Sequence, residues 1–116
     1  MTVLNILAAT VCQQKTATLD VTTSASAIVT CAANESCKIK SLHLVNVDGT
    51  NAVDATVLHV RGATSTEIIK TVSVPADSTL VLFGDGVLHL EESDVLQVQA
   101  SANSDLKAVC SYERFA

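Results

Sequence analysis

A chain of 116 residues and 12.1 kDa with one proline and four glycines has room for a single compact domain and none for a modular enzyme. Hydrophobic residues at 48% against charged ones at 16% exclude a disordered tail, and aromatics at 3% with no Trp leave the core to Val, Ala, Leu and Ile. Twelve acidic and seven basic residues give a net charge of −5, the wrong sign for a domain that lives on phosphate contacts, so no nucleic-acid partner is expected.

Residues 1–12, MTVLNILAATVC, are apolar but lack a basic leader region and are interrupted by Asn5. They fall short of the roughly 20 apolar residues of a membrane span. Neither a signal peptide nor a membrane partner is expected, and the product is expected to be made in the cytoplasm. Residues 1–14 are expected to form an N-terminal strand or arm and residues 15–116 the folded domain. Val, Ile and Thr supply 34 residues, the β-branched enrichment of pleated, half-buried strands. Apolar positions recur with period two and nowhere with a helical period.

In chain order, short strands are predicted over 16–21 and 27–31, around Thr22-Thr23-Ser24. The next strand, 37–47, changes phase: Ile39 falls on an odd-numbered face, Leu42 and Leu44 on an even one, which predicts a bulge or a sheet-to-sheet bend near Ser41. Asp48-Gly49-Thr50-Asn51 is the strongest turn signal and predicts a hairpin with strand 53–61. Residues 62–65 lead into strand 67–74, which Pro75-Ala76-Asp77 breaks before strand 79–83. Gly84-Asp85-Gly86 ends that strand, 87–90 is a short apolar one, and Glu91-Glu92-Ser93 turns the chain into 94–101. There Leu96, Val98 and Ala100 share one face, and Val95, Gln97 and Gln99 the other. Residues 106–112 repeat the pattern, with Leu106, Ala108, Cys110 and Tyr112 together, and the two strands are expected to pair as a hairpin across the turn 102–105. The whole reads as all-β: a single-domain antiparallel β-sandwich or jelly roll of about eight to ten short strands.

No constellation for catalysis emerges. His43, His59 and His89 sit inside predicted strands, and the cysteines lack the close pairs that aim two donors at one zinc ion, so neither metal nor cofactor is expected. Glu91-Glu92 reads as a turn, and Asp20, Asp54 and Asp94 as turn or strand-end residues. Gly84-Asp85-Gly86 precedes a strand rather than a helix and is no phosphate cradle. Asn34-Glu35-Ser36 matches a glycosylation acceptor but carries no weight in a cytoplasmic product.

Cys12, Cys31, Cys37 and Cys110 are disulfide candidates. Cys31 and Cys37 flank residues 32–36 and would close that loop if their Cα atoms lie within about 7 Å. Cys12 and Cys110 lie near the termini, where exposure suits a bond to another subunit. Free thiols packed as small hydrophobes are the alternative. A protein that folds reduced in a cell and is then released into an oxidising medium would accommodate both states. The uncharged N-terminal segment offers Val3, Leu4, Ile6 and Leu7 as interface candidates for pairing with a neighbour's sheet edge.

The run SVPADSTLVLFGDGVLHLEESDVLQVQASANSDLKAVCSYE resembles the C-terminal half of small virion structural proteins of tailed bacteriophages. The likeness lies in the Pro75-Ala76 turn, Ser78-Thr79-Leu80 opening a strand, the glycine turn, Leu90-Glu91, and Asp94-x-Leu96-x-Val98-x-Ala100 with its closing strand. Leu44-x-Asn46 and Ala55-x-Val57 extend it upstream. The resemblance implies a non-enzymatic part of a capsid, neck or tail. The expectation is a homo-oligomeric capsid decoration or linking protein, resident in the virion, that binds the major capsid protein or other virion proteins and is locked by disulfides after lysis. A collar, neck or tail ring component is one alternative. A glycan- or receptor-binding sandwich is another, poorly served by Phe83, Tyr112 and Phe115 as the only aromatics.

Overall fold

A computed structural model describes residues 5–116. After a single 3-10 turn at Ile6–Ala8, nine strands follow: β1 (Cys12–Asp20), β2 (Ser26–Thr30), β3 (Ser36–Asn46), β4 (Val53–Arg61), β5 (Thr64–Val74), β6 (Thr79–Leu82), β7 (Leu88–Leu90), β8 (Val95–Ala100) and β9 (Leu106–Phe115). They form two antiparallel sheets. One runs β1-β9-β3-β6, with β7 pairing further along β3; the other runs β2-β8-β4-β5. The all-β sandwich and its strand count follow the expectation.

The period-two signal located the buried faces. Leu96, Val98 and Ala100 of β8 and Leu106, Ala108 and Cys110 of β9 are buried, and Ile39, Leu42 and Leu44 of β3 have no exposure. The phase change in β3 is a β-bulge, with the register against β9 shifting between Ile39 and Ser41. By inserting one residue, the bulge keeps apolar side chains inward on both sides of the slip.

Two expected hairpins are absent. β8 pairs with β2 and β4 while β9 pairs with β1 and β3, so the turn 102–105 carries the chain between sheets. The 48–51 turn does the same, since β3 and β4 share no ladder. The physical reason is common to both cases. An alternating strand must bury one face, and two such strands satisfy that need as well by facing each other across the sandwich as by lying side by side. A true hairpin joins β4 to β5, from Arg61↔Thr64 onward, with Gly62 at φ +61° in the turn.

The core is aliphatic, with Leu42, Leu44, Leu90, Leu96, Leu106, Ile39 and six valines buried, and Cys31, Cys37 and Cys110 filling the gaps. Each fully buried Leu or Val contributes about 1.5–3 kcal/mol relative to exposure. Asn46, 1% exposed, closes one end of the sandwich. Its amide donates to the carbonyls of Asn51 (2.9 Å) and Val74 (3.0 Å), and its oxygen accepts from the Asp48 amide (2.9 Å), tying β3 to the end of β5. The Asp48 carboxylate in turn accepts from the Thr50 and Asn51 amides, which hold it below the usual carboxylate range.

Candidate functional site

A short backbone bridge ties the end of the segment before β1 to the C-terminus: Thr10 and Val11 donate to the Ala116 carbonyl (3.0 and 2.9 Å), and Ala116 donates back to Val11 (3.0 Å). Leu7 is 96% exposed. Val3 and Leu4 lie outside the described residues, as does the side chain of Ile6. β1 itself is an edge strand, paired with β9 from Cys12↔Phe115 to Asp20↔Lys107, so residues 12–14 run within the sheet. Among the described residues no strand pairs with its opposite rim, along which only Lys15 and Asp20 are charged. β5 forms an edge of the second sheet and is kinked, its ladder with β4 shifting between Ala55 and Val57, with Thr71 at φ +47°. Such a bulge bends the rim away from a flat neighbour.

A second feature is a buried charge network at the start of β8. Asp94 has no solvent exposure; it accepts from Arg61 Nε (2.8 Å), from a second Arg61 nitrogen (2.7 Å) and from the Glu91 amide (2.9 Å), and its Oδ2 lies 3.0 Å from His59 Nε2. Arg61 also reaches the Glu91 carboxylate at 2.7 Å. The Arg61 guanidinium, joined by the Glu91 amide and His59, holds the Asp94 carboxyl well below the usual carboxylate range against the opposing effect of burial. Both carboxylate oxygens are engaged, Oδ1 by Arg61 Nε and Oδ2 by Arg61, His59 and the Glu91 amide, so the group ties β4 to the turn before β8. Sequence reasoning had Asp94 as a strand-end residue and missed its partners. The available signal was His59 and Arg61 two apart on one face of β4, with an aspartate opening another strand.

All four cysteines are thiols in the structure. Cys12 is exposed, its sulfur 4.0 Å from Glu113 Oε2, whereas Cys31, Cys37 and Cys110 are buried. Burial pushes the Cys31 and Cys110 thiols up to about 12, and raises Cys37 as well. Cys110, expected to be accessible through its nearness to the C-terminus, faces inward because the apolar alternation of β9 runs through it. Beside this cluster Arg114 bridges Glu35 (2.5 Å) and Gln13 (2.8 Å), pinning the 32–36 loop to the base of β9 and β1.

Two shallow depressions lie on the surface. One of about 190 Å³ is lined by Asp54, Thr56, Thr71, Gln99 and Ser101; the other, of about 370 Å³, lies over Gln14, Lys15, Thr16, Lys40, Ser111 and Tyr112. Neither brings together an acid, a base and a nucleophile. Among the described residues no three metal-ligating side chains converge. His43, His59 and His89 lie in β3, β4 and β7, within strands as expected, and His59 joins the Asp94 network.

No protein-family model matches the chain, and no curated protein does. Solved structures do. The fold is shared with a protein of the acid-stable capsid of Helicobacter pylori bacteriophage KHP30, at a TM-score of 0.55 and 12% identity, covering 93% of this chain and 90% of that one. It is shared equally with a subunit of the disulfide-linked pili that form Bacillus endospore appendages, at a TM-score of 0.55 and 18% identity, over 91% and 87% of the two chains. At these identities the likeness is one of fold, and it spans nearly the whole chain.

Proposed function

We propose that this chain is a non-enzymatic structural subunit of a phage virion, a decoration or linking protein that binds neighbouring capsid subunits through its N-terminal arm and is reinforced by disulfides after release. The observation that carries the proposal is the arm: an uncharged, strand-length segment with Leu7 almost fully exposed, joined to the domain at the Val11–Ala116 bridge. An uncharged apolar segment with Leu7 exposed gains by adding to another sheet's edge, where its backbone groups and apolar side chains are satisfied together. Many such weak contacts across a particle sum to a strong one. The fold shared with a capsid protein supports the setting.

A second reading, a subunit of a disulfide-linked surface fibre, draws support from the equal likeness to the endospore-appendage protein and from the exposed Cys12 beside the arm. Removing residues 1–11 tests the common part. The truncated chain should unfold at an unchanged temperature and lose all assembly with copies or capsids; a truncated chain that is unfolded, or that assembles normally, refutes the arm. Counting the chain against the major capsid protein in purified particles then separates the settings. Near-stoichiometric abundance supports decoration, a single-ring count supports collar or tail, and absence supports the fibre.

A further inference from the structure

Four cysteines allow six pairs, and strand register eliminates three of them. Cys37 sits opposite Arg114 on β9, four residues from Cys110, a separation of about 13 Å along a strand. Cys12 sits opposite Phe115 while Cys110 sits opposite Ala17, five residues further on, about 16 Å away. Both exceed the roughly 7 Å between Cα atoms that a disulfide tolerates. Cys12 and Cys37 are separated by the whole width of β9, and their side chains point to opposite faces of the sheet.

Cys31 and Cys37 differ. Cys37 pairs with Leu90 across β3 and β7, and the Cys31 sulfur lies 3.6 Å from that same Leu90 carbonyl and 3.2 Å from the Glu35 carbonyl. Glu35 stands two residues before Cys37 in the chain and Leu90 is its ladder partner, so both contacts place the Cys31 sulfur beside the start of β3. Cys31 is fixed in place from the other sheet by reciprocal backbone bonds, its amide to Asp94 and its carbonyl from Ser93.

We infer that Cys31 and Cys37 form the chain's one internal disulfide, a covalent staple between the two sheets, with Cys12 and Cys110 left unpaired within the subunit. This deepens the structural-subunit reading and rests on it only for the oxidising medium that a released particle meets. The bond forms by exchange with a low-molecular-weight disulfide such as oxidised glutathione. One thiolate attacks the small disulfide and expels one thiol, and the second cysteine attacks the mixed disulfide and expels the other. Two cysteine protons and two electrons leave with the two small thiols. With both sulfurs buried, exchange proceeds when the exposed residues of the 32–36 loop open, or during folding before the core closes.

The test uses the full chain, refolded in a glutathione redox buffer so that burial cannot block reaction, then alkylated and digested. Trypsin leaves both cysteines in one peptide, residues 16–38, and cleavage after Glu35 cuts between them. The expected result is a 16–38 peptide lighter by two hydrogens and free of alkyl groups, whose halves stay joined after the Glu35 cut until reductant is added. The oxidised protein should melt several degrees above the reduced one, a gap that Cys37→Ser abolishes. Alkylation of both cysteines, a Cys37–Cys110 peptide, or a Cys31 link found only in dimers would overturn the inference. None of these outcomes depends on capsid binding, so a failure here and a failure of the virion reading are separately visible.

Discussion

Replacing Asp94 by alanine removes the one fully buried carboxylate that four donors converge on at 2.7–3.0 Å. Breaking a buried ion pair from one side costs about 3–5 kcal/mol, because the partner charge is stranded. Here the Arg61 side chain is 50% exposed and rehydrates, while the Glu91 amide loses its acceptor, which places the loss near the lower end, about 3 kcal/mol. At about 2.1 cal/mol/K per residue, the unfolding entropy of 116 residues converts this to a Tm drop of about 12 °C. Thermal unfolding followed by circular dichroism at neutral pH measures it, and a drop below about 4 °C refutes the assignment. The pH dependence has a definite sign. Arg61 lowers the folded-state carboxyl, so its stabilisation is complete above the unfolded value of about 4 and is lost as pH falls through the lower folded value. Asp94→Asn does not titrate, so the wild-type advantage over it should shrink steadily below pH about 4. A gap that stays constant down to pH about 2 would mean that the charge is not the source.

Other expectations follow from the same geometry. Asn46→Ala leaves two carbonyls and one amide at the sandwich end without partners and should cost about 2–4 kcal/mol in urea unfolding at an unchanged m-value; a loss under about 1 kcal/mol would mean that water replaces the side chain. Leu42→Ala, at a position with no exposure, should cost about 2–5 kcal/mol. Thr71→Asn relieves a β-branched residue at φ +47° and should raise stability by about 0.5–1 kcal/mol, with a decrease showing that the Thr side chain contributes more than the strain removes. In the reduced native protein a chromogenic disulfide reagent should titrate Cys12 alone at once, with the other three appearing only on unfolding; rapid reaction of Cys110 would contradict its burial.

The alternation of apolar and polar residues determined by itself that the chain is a β-sandwich, where nearly every strand lies, and which side of β8 and β9 is buried. It even marked the bulge at Ser41, because a slip in phase is written locally, residue by residue. The uncharged apolar run at residues 1–11 was legible as a candidate strand or arm for pairing with a sheet edge. What period two does not encode is which strand lies beside which. The turns at 48–51 and 102–105 look like hairpin turns, yet both cross between sheets, since facing and flanking arrangements bury the same side chains. The fate of individual groups follows from that choice. Asp94 became a buried hub because β4 came to lie beside β8, bringing His59 and Arg61 to it. The Cys31 sulfur came to lie beside the start of β3 because β7 paired with β3 and set the Leu90 carbonyl there. Each of these depends on contacts between residues far apart in the chain, which only the tertiary structure decides.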